Sequence, residues 1–331
     1  MPTALRIATF NLENLDDKPG LKPTLAERIP LLRPALDRVR ADLLCLQEVH
    51  GQEHAGQPRD LAALQTLIAT TPYQGYHVAH TTTQAGQPFD VRNLVVLSRF
   101  PILARRQLMH DLTPPPAYRQ VTAIPAEPSA RDVTWERPAL YLRIDLGNNR
   151  QLHVTNLHLK SKIPTDISGQ KRDQYSWKTV AGWAEGYFLS ALKRVGQALE
   201  VRILVDQIFD TAQAAGEDAL IAVCGDLNSE SDAEPVQAIR GSVEETGNPD
   251  LTTRVLVPCE NSVPESSRYS LLHLGHGQML DHILVSRPLL AFYRGTEIHN
   301  EVLPDESGAF RDDTKFPESD HAPVVAEFVL P

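Results

Sequence analysis

Apolar residues along this chain fall mostly in short β-rich runs separated by turn-forming residues, a spacing that predicts strands. Nine such runs stand out, at residues 5–11, 43–47, 76–79, 94–98, 139–146, 151–156, 220–224, 281–286 and 324–329. Helical periodicity appears at 25–40 and 60–70, following the first and second strands. It is clearest at 193–215, where Val195, Leu199, Ile203, Ile208 and Phe209 keep one face apolar. Nine strands are too many for one small sheet, so this order predicts two packed sheets with helices outside, an α+β sandwich of layers. The proline-rich stretches Thr113-Pro114-Pro115-Pro116 and 124–128 read as long surface loops, because strand patterning resumes on both sides. Residues 163–192 and 241–270 read as insertions in a single domain spanning 1–331.

Composition narrows the class. At 331 residues, 42% hydrophobic and 22% charged, the chain has enough apolar material for a large core and is not predominantly disordered. No stretch reaches the roughly 18 to 20 uninterrupted apolar residues of a membrane span. The first ten residues have no long apolar region of the secretory kind, so the expectation is a cytoplasmic protein, or a secreted one if a leader has been removed. Cys45, Cys224 and Cys259 are an odd number for a disulfide framework, and the first two lie in apolar runs. All three are expected to be reduced thiols and none a nucleophile.

Charge bears on partners. The formal net charge is −10, which disfavours polyanion binding by the protein as a whole. Residues 150–204 run the other way, with nine basic side chains against four acidic ones. That segment carries a surplus of five positive charges, and a local phosphate-binding patch is the expectation there. An acidic monomer is the simplest assembly.

Candidate chemistry lies where apolar runs end. Asn11 closes the first run, Glu48 the second, Asp226 and Asn228 follow Val223-Cys224-Gly225, and His158 follows Asn156-Leu157. Asp281 opens another run and Asp320-His321 precedes the last. Taken singly, each has a plain structural reading as a turn residue, a surface carboxylate or a satisfied histidine. Together, carboxylates and amide oxygens without cysteine suit a hard divalent cation such as Mg²⁺ or Mn²⁺. Imidazoles beside them suit proton transfer. A metal with His and Asp, and no Ser or Cys nucleophile motif, points to water attacking a phosphorus centre.

Eight motifs occur in one order: Thr9-Phe10-Asn11-Leu12, Leu46-Gln47-Glu48-Val49, Leu97-Ser98-Arg99-Phe100-Pro101, Arg137-Pro138-Ala139, Asn156-Leu157-His158-Leu159, Gly225-Asp226-Leu227-Asn228, Leu280-Asp281-His282-Ile283-Leu284 and Ser319-Asp320-His321. In that order they resemble the endonuclease/exonuclease/phosphatase superfamily, over nearly the whole chain. The resemblance implies a four-layer α/β sandwich of two packed, mainly antiparallel sheets flanked by helices. It implies Glu48 as principal metal ligand, with Asn11 and Asp320 nearby. Asp226 and Asn228 resemble the pair that orients or deprotonates the attacking water. His321 with Asp281 resembles the family's His-Asp dyad, and proton transfer is assigned to His321 and Asp226 jointly. His158 and Arg137 resemble phosphate-contacting residues.

The implied activity is divalent-metal-dependent phosphodiester hydrolysis, with a nuclease acting on DNA or RNA as the first reading. A lipid-headgroup or small-molecule phosphoesterase is the alternative, because one site serves many esters. The run Asn156-Leu157-His158-Leu159-Lys160-Ser161-Lys162 makes the chain look most similar to bacterial nuclease-like members, from which it departs in having few cysteines and Ala322 after the histidine. Asn156, Lys160 and Lys162 are expected to bind substrate, while Trp177 and Trp183 are expected to pack the 163–192 insertion onto the sandwich.

Overall fold

Short apolar runs, buried on both faces where strands are central, build twelve strands into two six-stranded sheets. In the computed structural model, which describes residues 3–243, 246–308 and 315–331, these are β1 Thr3–Leu15, β2 Leu43–Val49, β3 His77–His80, β4 Asn93–Ser98, β5 Ile102–Leu108, β6 Ala139–Gly147, β7 Arg150–His158, β8 Leu220–Asp226, β9 Leu256–Pro258, β10 Asp281–Ser286, β11 Tyr293–Ile298 and β12 Val324–Leu330. One sheet has the order β11-β12-β1-β2-β4-β3 and the other β9-β10-β8-β7-β6-β5. Within them β1/β2 and β7/β8 run parallel and the other ladders are antiparallel.

Leu5, Ile7, Val96, Leu142, Val154, Ile283 and Phe328 fill the space between the sheets. Each such side chain, fully buried, contributes about 1.5–3 kcal/mol relative to exposure. Helices α1 Leu25–Val39 and α2 Ala62–Ile68 cover the outer face of the first sheet through Leu32, Leu36 and Leu64 against Phe10 and Val95. Helices α3 Val180–Ala215 and α4 Glu234–Arg240 cover the second through Val201, Leu204 and Ile239 against Val223 and Leu284. The result is the layered α/β/β/α sandwich that the sequence implies. No helix among the described residues is long and apolar enough to cross a membrane.

All nine predicted strands are present. The strands that the pattern leaves out of the large sheets, β5, β9 and β11, are edge strands. β5 and β11 alternate half-buried with exposed positions, and β9 is three residues long, so none offers a strong apolar run. The long helix begins at Val180 rather than at 193, absorbing the end of the 163–192 insertion. Thr179 caps it by accepting a hydrogen bond from the Gly182 amide. Two features mask this start in the sequence. Gly182 and Gly186 weaken helix propensity, yet an added Cβ would meet Gln170 or the Thr165 carbonyl, so the close packing requires them. The outward residues Val180, Trp183, Tyr187 and Phe188 are apolar and exposed, which erases the amphipathic contrast. The 241–270 insertion is made of short turns and β9, with residues 244–245 outside the described residues.

Strand register gathers the chemistry at one end of the sandwich. Asn11 pairs with Gln47 across the parallel β1/β2 ladder. Antiparallel β12 starts opposite Thr9, which carries Asp320 and His321 past the end of β1. In the second sheet, parallel β7/β8 pairs His158 with Asp226, and antiparallel β10 pairs Asp226 with Asp281.

Candidate active site

The cavity at this end has a volume of about 700 Å³. Asn11, Glu48, Arg137, His158, Asp226, Asn228, Asp320 and His321 all line it. Local backbone geometry shapes its floor. Eleven non-glycine residues among those described have a positive φ, and five of them, Glu13, Asn14, Glu48, Arg92 and Asn228, are on this wall. Asparagine tolerates that region, but for Glu13 and Glu48 it costs about 1 kcal/mol or more each, sustained by the surrounding bonds. Glu48 Oε2 accepts from the Asn14 amide at 3.0 Å. Arg28, on the first turn of α1 and buried, donates to the carbonyls of Leu12 (2.8 Å), Glu13 (3.0 Å) and Pro317 (3.2 Å). It thereby ties the end of β1 to the segment leading into Asp320.

Asp226 is the hub. Its Oδ2 accepts from Asn11 Nδ2 (3.0 Å) and Asn228 Nδ2 (3.2 Å), and its Oδ1 from the Asn228 amide (2.8 Å). The Asn11 bond joins the two sheets across the cavity floor. His321 Nδ1 pairs with Asp281 Oδ2 at 2.7 Å, leaving Nε2 to face the cavity 3.9 Å from both Asp226 Oδ2 and Asp320 Oδ1. Burial alone would lower the affinity of this imidazole for a proton. The carboxylates of Asp281, Asp226 and Asp320 outweigh it and raise the pKa well above the usual histidine value.

His158 is the opposite case, its pKa held well below the usual value by burial and then by the Arg137 guanidinium. Arg137 Nη1 meets His158 Nδ1. A guanidinium only donates, so Nδ1 accepts and the ring hydrogen is assigned to Nε2. That nitrogen lies 3.3 Å from Asp226 Oδ2 and 3.6 Å from Glu48 Oε1. Arg137 is held in turn by α3, where Gln197 Nε2 donates to its carbonyl at 2.8 Å.

Anionic groups are crowded here. Burial, then the Asp281 charge, pushes Asp226 up to about 7, and burial, then Glu48, pushes Asp320 up to about 6. Glu13 is likewise raised to about 7, by burial and then by Asp320. Asp320 Oδ1 is buried without a hydrogen-bond partner among the described residues. Asp226, Asp281 and His321 each place one ligand-type atom within 4.8 Å of the others. Since His321 and Asp281 are already bonded to each other, the oxygen-rich side toward Asn11, Glu48 and Asp320 has the chemistry that fits a hard cation.

Two substrate-binding expectations need correction. Asn156 is fully buried between the sheets, where Nδ2 donates to the Leu46 and Val95 carbonyls (3.0 Å each) and Oδ1 accepts from Gln47 (2.7 Å). Its amide is spent on tying the sheets together. Lys160 does not reach the cavity wall either, since Nζ donates to the Ile163 carbonyl (2.8 Å) and Ser161 Oγ (3.1 Å) and so closes its own turn. Lys162 is exposed on the rim between Ser161 and Ile163, which do line the cavity. The tryptophans divide. Trp177 packs against Gly186 and carries Lys171 over its ring, whereas Trp183 is 43% exposed and stacks on Tyr187. Residues that the sequence reading passes over are Glu13, Asn14 and Arg92, all on the wall, where Tyr175 from the aromatic and basic 171–178 stretch also lies. Glu13 and Asn14 could have been suspected, lying two and three places after Asn11, but Arg92 is in a loop without a motif.

A family model for the endonuclease/exonuclease/phosphatase family matches residues 8–321. The chain belongs to this family. An endonuclease/exonuclease/phosphatase family protein from Bacteroides thetaiotaomicron has a similar structure, with a TM-score of 0.60 and 16% identity over 100% of this chain and 96% of that one. An AP endonuclease from Archaeoglobus fulgidus gives 0.52 and 16%, over 98% and 99%. The 3′ phosphatase NExo from Neisseria, bound to a product DNA hairpin, gives 0.50 and 17%, over 98% and 99%. At these identities the likeness is one of fold. No curated protein gives a significant match.

Proposed function

We propose that the protein is a divalent-metal-dependent phosphodiester hydrolase that cleaves nucleic acid by attack of water at phosphorus. The observation that carries this reading is the convergence of Glu48, Asp226 and Asp320 with His321 and His158 on one cavity wall. Glu48, Asn11 and Asp320 would hold Mg²⁺ or Mn²⁺, which when bound neutralises charge developing on the phosphoryl oxygens.

The rest is done by the chain itself. Asp226 Oδ2, aimed by Asn11 and Asn228, is the acceptor for the proton of the attacking water. His321 is ill suited to that role, because Nδ1 is committed to Asp281 and three carboxylates raise the affinity of the ring for a proton. Its Nε2–H is instead a donor to the leaving oxygen, with Asp281 holding the ring orientation. His158 Nε2–H and the Arg137 guanidinium supply donors for the non-bridging oxygens, in a buried site where such bonds are strong.

Nucleic acid is favoured as substrate by the positive 150–204 segment, whose Ser161, Ile163 and Tyr175 border the cavity. Two structural neighbours named for DNA chemistry point the same way. The exposed apolar residues Val180, Trp183 and Tyr187 on the first turns of α3 favour a second reading, a lipid-headgroup phosphodiester. A panel of single-stranded DNA, duplex DNA, RNA, sphingomyelin and inositol phosphates separates the two. Nuclease action requires that the nucleic acids be cleaved and the lipid left intact, and the reverse pattern would overturn it. Lys162→Ala should raise KM for a long strand more than for a small ester. It should also reduce the salt slope of log KM by about 0.7, the value for one single-strand phosphate contact. Equal effects on both substrates would remove Lys162 from the groove.

A further inference from the structure

His282 and Glu260 are both fully buried, and neither lines the cavity. His282 follows Asp281 on β10 and pairs in register with Gly225, so it lies beside the end of β8. Glu260 comes from the 241–270 insertion, just after edge strand β9, which pairs with β10. Their bonds are short: His282 Nδ1 is 2.6 Å from Glu260 Oε1, and Nε2 is 2.8 Å from the Ser229 carbonyl. A carbonyl only accepts, so Nε2 carries a hydrogen, and one further proton lies between Nδ1 and the carboxyl group.

Ser229 belongs to the turn that carries Asp226 and Asn228. On the other side of this turn the Leu227 amide donates to the Leu280 carbonyl at 2.8 Å. Leu280 and His282 therefore grip the turn at two points flanking Asp281. A buried His–carboxylate pair is a poor way to stabilise a core, since well-packed apolar residues do as well or better. Its polarity here holds the Ser229 carbonyl, and Glu260 Oε2 also accepts from the Ile283 amide at 3.4 Å.

We propose that His282 and Glu260 are positioning residues which, through Ser229, fix the direction in which Asp226 and Asn228 face the substrate. The inference rests on the function proposed above, and its test has one arm that does not depend on turnover. Glu260→Leu, His282→Leu and the double variant are compared with wild type on bis-p-nitrophenyl phosphate, together with hydrogen exchange of the peptide spanning residues 226–231. Each single variant leaves a buried group unpaired and should lower Tm. The double variant should regain part of the lost Tm while kcat stays about 100-fold below wild type, the scale of a misplaced catalytic group, with KM little changed and exchange of the turn accelerated.

Recovery of kcat together with Tm, or unchanged exchange in the turn, would overturn the proposal. Should the leucine variants fail to fold, Glu260→Gln keeps the shape and is expected to lower kcat more than it lowers Tm. An inactive wild type would count against the proposed function, while the exchange arm would still decide the positioning role.

Discussion

Glu48→Gln is expected to lower kcat/KM for a phosphodiester by about 1,000-fold or more while leaving the fold intact. The size follows from losing several kcal/mol of charge stabilisation at the transition state, at about 1.4 kcal/mol per factor of ten. The substitution is nearly isosteric, and the Asn14 amide still finds an oxygen to donate to. Stability should move the other way. Glu48 is among the charges that push Asp320 up, so removing it relieves repulsion in the metal-free protein. Tm of the metal-free variant, read by scanning calorimetry, should therefore equal or exceed that of wild type. A normal turnover rate would contradict the metal role of Glu48, and a much lower Tm would mean that its main task is structural.

Gly225→Ala should be among the most destabilising single changes in the chain. Gly225 has a φ of 140°, and an added Cβ would lie 2.0 Å from the Leu157 carbonyl oxygen on the neighbouring strand. No side chain can rotate away to relieve that clash, because both partners are backbone in the β7/β8 ladder. A cost of about 3 kcal/mol or more is expected. The lost ladder also carries Asp226 and His158, so activity should fall together with Tm. Gly86→Ala is the control. Gly86 also has a positive φ but has open space around it, and its replacement should cost only about 1 kcal/mol. Similar losses in the two variants would show that backbone conformation matters here and crowding does not.

Both predictions concern strand ends, and there the sequence is most informative. A polar residue that stops an apolar run marks the point where a strand leaves the core. Val154 faces the core between the sheets, Asn156 two residues on faces the same way, and His158 after a further two emerges on the cavity wall. Direction is legible from this alternation, but depth is not. A step of two residues, about 6.6 Å, separates a buried tie between sheets from a wall residue, and Asn156 was placed on the wrong side of it.

Of the four edge strands, β5, β9 and β11 escape because they are short or bury too little to show an apolar run, while β3 is legible. The start of α3 escaped because close packing demanded glycines and its outer face is apolar. Arg28 and Glu260 could not be read at all, since their partners are backbone carbonyls and a histidine brought near only by the fold.

The central claim is tested most directly by following hydrolysis of bis-p-nitrophenyl phosphate and of a labelled DNA strand with Mg²⁺, with Mn²⁺ and with EDTA, in wild type and His321→Ala. The account predicts cleavage of both substrates with either metal, none with EDTA, and a loss of about 100- to 10,000-fold in the variant, as expected for a proton donor. Cleavage that persists in EDTA, or that His321→Ala leaves unchanged, would contradict it.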